Sequence, residues 1–332
     1  MDPIARTPDA ASIALMLADT GKMVPKNLPA MRESELIGAG GRPLPEFRAE
    51  LRRIPSLRNA LSVASLYVQA GLVVWATVAW APWSFPFSFL LATRAFAQLT
   101  GLMHEAAHRM LFSNKRANDL VGRWLLGYPS FTSTDAYRRV HMAHHREEFG
   151  PDEPDMALYR GYPISNASFR RKMVRDATGR TGWKLFQGLP KGLLSKDSRI
   201  RDTAIRIIGV QLAMLGAAIA SGHWWLYPFF WLAPYLTSWR LINRLRSIAE
   251  HGGMSRSRDR RETTHSVRQS AVARLFMVPY NLGWHLAHHV DSGVPFRNLP
   301  RLHSALHEAG YVDATIEYPS YRAIWKELRV DA

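Results

Sequence analysis

The chain has 332 residues, 47% of them apolar, enough for a sizeable buried core, and it carries a formal charge of +16. It contains no cysteine, which excludes disulfides, thiolate metal sites, iron–sulfur clusters and a cysteine nucleophile, and leaves imidazole and carboxylate as the strong metal ligands. The basic residues flank long apolar runs, and no helix-turn-helix, zinc-finger or RNA-binding signature is present, so the charge points to a membrane surface and away from nucleic acid.

Residues 1–57 are polar, interrupted by Pro25, Pro29, Pro43, Pro45 and Pro55, with Arg48, Arg52 and Arg53 close together; they are expected to form a cytoplasmic arm. An uncharged apolar run follows at 60–80, long enough at roughly 1.5 Å per residue to cross a bilayer. Ala81-Pro82-Trp83-Ser84-Phe85-Pro86 turns the chain into a second run at 85–103, broken only by Arg94. Leu120 to Tyr128 is too short to span and reads as an interfacial helix. A third run covers 203–221, Gly222-His223-Trp224-Trp225 turns it, and a fourth covers 225–243, carrying Pro228 and Pro234. The expected architecture is an all-α integral membrane protein, with four transmembrane helices in two hairpins and a cytoplasmic helical cap. A functional domain at 58–315 would then be followed by a C-terminal tail at 316–332, with a helical piece near Tyr321 to Leu328. The Arg/Lys-rich flanks mark the inner face of a bacterial inner membrane as the side holding both termini.

The remaining signal is histidine. His141-Met142-Ala143-His144-His145 and His285-Leu286-Ala287-His288-His289 share one spacing, and His104-Glu105-Ala106-Ala107-His108 supplies a third pair. On a helix these spacings bring imidazoles to one face. Each group falls on the cytoplasmic side of the expected spans, as does a ninth candidate, His251, just past the fourth. Nine imidazoles suit two redox ions, whereas a hydrolytic zinc site needs three or four ligands. His-Glu-x-x-His alone is also the signature of zinc proteases with Glu105 as general base, but that reading leaves seven histidines without a role. Glu105 is expected instead to orient a metal-bound imidazole from behind.

The three groups, with Asn281-Leu282-Gly283-Trp284 before the last and Val294-Pro295-Phe296-Arg297-Asn298-Leu299-Pro300 after it, resemble the histidine boxes of the membrane fatty acid desaturase family, in its stand-alone bacterial form. The resemblance covers roughly residues 55–315. It implies a di-iron centre that uses dioxygen and two electrons to remove two hydrogens from an acyl chain, with His104, His108, His141, His144, His145, His251, His285, His288 and His289 as iron ligands. It also implies Asp155, in the acidic loop after the second box, as a residue supporting a ligand. Asn281 reads either as a hydrogen-bonding residue near the metals or as a helix cap. Two positions depart from the family: the first box has three residues between its histidines, where acyl-CoA members have four, and Ser247 stands where some relatives have Asn. The expected function is an acyl-lipid desaturase fed by ferredoxin or a similar donor. A hydroxylase or ketolase of a carotenoid or sphingoid chain shares its first chemical step, and a membrane zinc protease is the more distant rival.

Overall fold

A computed structural model describes residues 20–331; residues 1–19 of the expected arm, and residue 332, lie outside the described residues. The chain is mostly helical and divides into two compact units, one made of residues 55–138 and 171–243, the other of 20–54, 139–170 and 244–331.

In the first unit the helices Ser56–Ala79 and Phe85–Ala107 pack antiparallel. Hydrogen bonds mark their register at both ends, from Asn59 Nδ2 to the Leu111 carbonyl at 2.9 Å and from Thr77 Oγ1 to Ser88 Oγ at 2.8 Å. Arg94, the charge that interrupts the second apolar run, donates to the side-chain oxygens of Gln98, at 3.1 Å, and Gln69. Two amide oxygens thus meet a guanidinium that an apolar surrounding would otherwise exclude. Aromatic packing of Phe96, Phe131, Tyr235 and Trp239 fills the unit's core.

Two helical stretches are long and apolar enough to cross a membrane. One is Pro45–Ala79, whose apolar part is the helix Ser56–Ala79, and the other is Ser198–Ala220. Only 17% of either apolar window is buried, so Leu61, Val68, Leu72 and Trp75 on one, and Ile205, Leu212 and Ile219 on the other, face outward. A surface this apolar suits lipid better than water. These helices coincide with the expected runs at 60–80 and 203–221. The run at 85–103 lies within Phe85–Ala107, a helix with 15 buried residues that serves as the unit's core. The run at 225–243 is not one helix. A π-helical turn, Pro228–Leu232, leads into the short helix Ala233–Leu236, and Thr237 (φ −115°, ψ −91°) separates that from Ser238–His251. Pro228 and Pro234 each remove an N–H donor, and the wide turn is closed by Ala233 N–H reaching back five residues to the Pro228 carbonyl.

The end of Phe85–Ala107, where the first box sits, is closed with care. Met110 N–H bonds the Glu105 carbonyl and Arg109 N–H that of Ala106, both at 3.0 Å, with Arg109 in the left-handed region at φ 59°. Glycine usually takes that place, and a side chain there costs about 1 kcal/mol. Arg138 offsets the strain by capping the helix with charge: its guanidinium bonds the carbonyls of Ala106 and Ala107 at 3.0 and 2.8 Å, and the carboxylate of Asp119 at 2.6 Å. Gly122 allows the following π-helical turn, Gly122–Gly127, to approach, since a Cβ there would meet the Ala106 Cβ at 2.8 Å.

The second unit is built around Phe149, Met156, Tyr159 and Met254. Two pairs of two-residue parallel strands tie distant segments together, Ile164–Ser165 with Arg329–Val330 and Ser266–Val267 with Glu317–Tyr318. The helix Pro45–Leu51 is held by Arg48 and Arg52, each 2.6 Å from a carboxylate oxygen of Asp291, and by Asn298 Nδ2 on the Leu51 carbonyl at 2.7 Å.

Asn118 is fully buried, accepts from Leu111 N–H at 3.1 Å and donates to the Ala106 carbonyl at 2.9 Å. Asn118→Ala leaves the Leu111 N–H without its acceptor, while the Ala106 carbonyl keeps Arg109 and Arg138, and is expected to cost roughly 1–3 kcal/mol, read as a lower thermal midpoint of the purified protein.

Candidate metal centre

The second unit gathers seven histidines from three helices. Thr134–Glu147 presents His141, His144 and His145 at helical spacing, Ser238–His251 ends in His251, and the one-and-a-half turns of His285–Val290 present His285, His288 and His289. All are buried except His145, which is half-buried.

Their Nε2 atoms fall into two trios. His145 Nε2 lies 3.1 Å from that of His141 and 3.0 Å from that of His288. His285 Nε2 lies 3.0 Å from those of both His251 and His289. His144 stands edge-on to His251 and His289, with ring centres 4.9 and 5.2 Å away.

The opposite ring nitrogens explain this orientation. His289 Nδ1 is 2.6 Å from Glu148 Oε1, His144 Nδ1 is 3.0 Å from Glu153 Oε1, His251 Nδ1 is 2.9 Å from the Thr263 carbonyl, and His285 Nδ1 is 3.5 Å from Glu250 Oε1. A carboxylate or carbonyl oxygen accepts, so the Nδ1 of His251 and of His289 carries a proton and leaves its Nε2 a lone pair, while His285 Nδ1 only approaches Glu250. In the trio of His251, His285 and His289, the lone pairs of His251 and His289 both face His285 Nε2 at 3.0 Å, a convergence that a cation among them would satisfy. Separations of 3.0 to 3.1 Å are also the edges of a coordination polyhedron with metal–nitrogen bonds of roughly 2.1 Å.

Protonation states agree. Burial, with the neighbouring imidazoles adding to it, pushes His285 and His289 well below the ordinary histidine range. Burial, reinforced by His144, takes His251 down to about 3. These rings are neutral at pH 7 and ready to ligate. His144 moves the other way: burial opposes its charge, but the bond to Glu153 and the charges of Glu153, Asp155 and Glu148 together outweigh that and raise it. Glu250 is pushed up by burial, against the opposing pull of Arg246.

The other expected residues fall as follows. His104 and His108 belong to the first unit, at the closed end of Phe85–Ala107, with ring centres 4.8 Å apart, and Glu105 is buried between them in the chain. Asn281 lies in the left-handed region (φ 62°), and its carbonyl accepts from Trp284 N–H at 3.2 Å, so it shapes the turn ahead of the third box while Trp284 takes the N-cap place. Asp155 is not the carboxylate bonded to the second box. Glu153 is, and Asp155 supports it through its backbone N–H, 3.0 Å from Glu153 Oε1, with its own carboxylate within 4.8 Å of the His144 and Glu153 atoms. The sequence reading also missed Glu148 and Glu250 as partners. Both stand close to a box histidine in the chain, yet each serves an imidazole of the third box, 141 residues away in the case of Glu148.

With this geometry in hand, the comparisons with known proteins are decisive on kinship. The family described as fatty acid desaturase matches residues 79–322. The chain belongs to the fatty acid desaturase family. The chain is also 26% identical over 263 residues, 74% of each protein, to the dihydrorhizobitoxine desaturase of Bradyrhizobium elkanii. Desaturase-type oxidation is thus the chemistry of this fold, and its buried histidine clusters are able to bind metal.

In this desaturase, Glu153→Ala deprives His144 of its Nδ1 acceptor and is expected to weaken metal retention by roughly 10–100-fold, with Glu153→Gln between it and the parent. Asp155→Asn, which keeps the backbone N–H, is expected to stay close to the parent. Bound metal per chain, measured during competition with a chelator, checks the order.

Proposed function

We propose that this chain is an oxygen-dependent di-iron desaturase that places a double bond in the acyl chain of a lipid, drawing two electrons from an external donor such as ferredoxin. The observation that carries the reading is the convergence of buried imidazole nitrogens into two trios, His251, His285 and His289 in one and His141, His145 and His288 in the other, with neighbouring Nε2 atoms 3.0–3.1 Å apart. The family resemblance adds His104 and His108 to the ligand set of His141, His144, His145, His251, His285, His288 and His289. An all-imidazole set without thiolate fits iron, and two iron ions bound there would supply the activation of dioxygen and the power to take hydrogen from an unactivated C–H bond.

The chain's own residues do the rest. Glu148, Glu153 and the Thr263 carbonyl bond Nδ1 of His289, His144 and His251 and so orient those rings for a metal. Burial keeps bulk water and protons away from the nitrogens. The outward-facing apolar helices Ser56–Ala79 and Ser198–Ala220 support residence in a membrane, where an acyl chain is at hand. On the charge pattern of the sequence this is the bacterial inner membrane, with the boxes on its cytoplasmic side.

A second substrate reading has one observation behind it. The similar protein from Bradyrhizobium elkanii is named for dihydrorhizobitoxine. Desaturation of that compound, or of a related small molecule, is therefore the alternative to a lipid.

Expression in a host with simple saturated lipids is expected to yield lipids lighter by two hydrogens, absent with His144→Ala. A product heavier by one oxygen without a new double bond would instead identify a hydroxylase. Conversion of dihydrorhizobitoxine with unchanged lipids would select the second substrate. Anaerobic reconstitution is expected to give roughly two irons per chain, against one zinc for a protease. The rate of electron transfer from an acidic ferredoxin is expected to fall as salt rises, since the basic flanks would steer the encounter.

A further inference from the structure

We propose that His303, His307 and Glu317 form a further site for a divalent cation of the zinc type, separate from the histidine boxes and structural in role. His303 and His307 lie four residues apart on the ten-residue helix Leu299–Glu308, so both imidazoles face the same way. Gly310, left-handed at φ 70°, closes that helix, and the chain then returns to place Glu317 opposite them in the strand paired with Ser266–Val267.

His303 Nε2 lies 3.0 Å from Glu317 Oε1 and His307 Nε2 lies 3.4 Å from Oε2, and one ligating atom from each of the three residues lies within 4.8 Å of the others. A tetrahedral zinc with bonds of 2.0–2.2 Å has ligand–ligand edges of roughly 3.3–3.6 Å, so an ion fits with small movements. The His303 side chain is 8% exposed and that of Glu317 2%, while His307 at 32% leaves an entry and a fourth position open to water. Trp284 stacks on His303 with ring centres 4.0 Å apart and holds that imidazole in place.

Glu317 has two other partners: Ser266 Oγ donates to Oε1 at 3.0 Å and Arg268 Nε to Oε2 at 2.6 Å. Ser266 is the kind of donor that steadies a ligating carboxylate. The Arg268 charge opposes a second cation, but its side chain is 59% exposed and withdraws into water when the ion enters. The rival arrangement is a hydrogen-bonded network of the same residues with protons alone. A bound ion would pin helix Leu299–Glu308 to the returning strand and, through Trp284, steady the segment that leads into the third box.

Because the chain has no cysteine, one substitution reads this site alone, whatever occupies the boxes. In the full-length His307→Cys protein, cobalt(II) is expected to produce a thiolate-to-cobalt charge-transfer band that saturates at one equivalent and disappears on adding zinc. No band, with the thiol of the folded variant reacting equally fast with or without cobalt, overturns the proposal. Zinc alone is expected to raise the thermal midpoint of the parent protein and to bind severalfold more tightly to Arg268→Gln, while His307→Ala holds one zinc fewer. Equal zinc content in parent and His307→Ala, with no tightening in Arg268→Gln, leaves only the proton-linked network. These measurements do not depend on desaturase activity, so their failure and the failure of the desaturase reading are separate.

Discussion

The centre of this protein depends on a choice of tautomer. An imidazole can offer its lone pair at either nitrogen, and what decides is the group bonded to the other one. By setting oxygen acceptors behind His251 and His289, the fold commits both rings to the same choice and turns their Nε2 atoms toward His285. Most of the second unit's polar interior serves that arrangement: Arg260 neutralises Glu148 at 2.7 Å, Arg246 does so for Glu250 at 2.7 Å, and the backbone N–H groups of Phe149 and Asp155 bond Glu153. A carboxylate that holds a buried imidazole must itself be held, or its burial would cost more than the bond returns.

This layering explains what could be read from the chain and what could not. The boxes are visible because their histidines are close in sequence, at three- and four-residue steps that any helix converts into one face. His251 was visible too, as a histidine at the end of a helix expected to finish beside the boxes. The supporting carboxylates were not, because their pairing is set by how helices pack. Asp155 and Glu153 sit two residues apart in the same acidic loop with both carboxylates near His144, and only the turn at 149–155 decides which of them bonds the imidazole. Glu148, next to the second box in sequence, serves the third. The apolar runs show the same division: composition located those at 60–80 and 203–221 well, but it could not say that 85–103 would be a largely buried core helix, or that Pro228 and Pro234 would break 225–243 into separate turns.

The charge also has a different meaning in the fold than in the composition. A surplus of arginine suggests a surface waiting for anionic partners, and part of it is that. Yet Arg138 closes the helix that ends at the first box, Arg246 and Arg260 sit behind the third-box carboxylates, and Arg94 is satisfied by two glutamine oxygens inside an apolar helix pair. These arginines are structural, suited by a planar, fixed fork of donors that lysine's freely rotating ammonium lacks.

The clasp between Arg48, Arg52 and Asp291 joins positions 243 and 239 residues apart, two places beyond the last histidine of the third box. During synthesis the arginines leave the ribosome long before the aspartate exists, so the helix they occupy must wait through most of translation for its mate. Contacts of such separation form late. The oxidising centre therefore assembles only once nearly the whole polypeptide is available, and a chain cut short before residue 291 has no means of completing it.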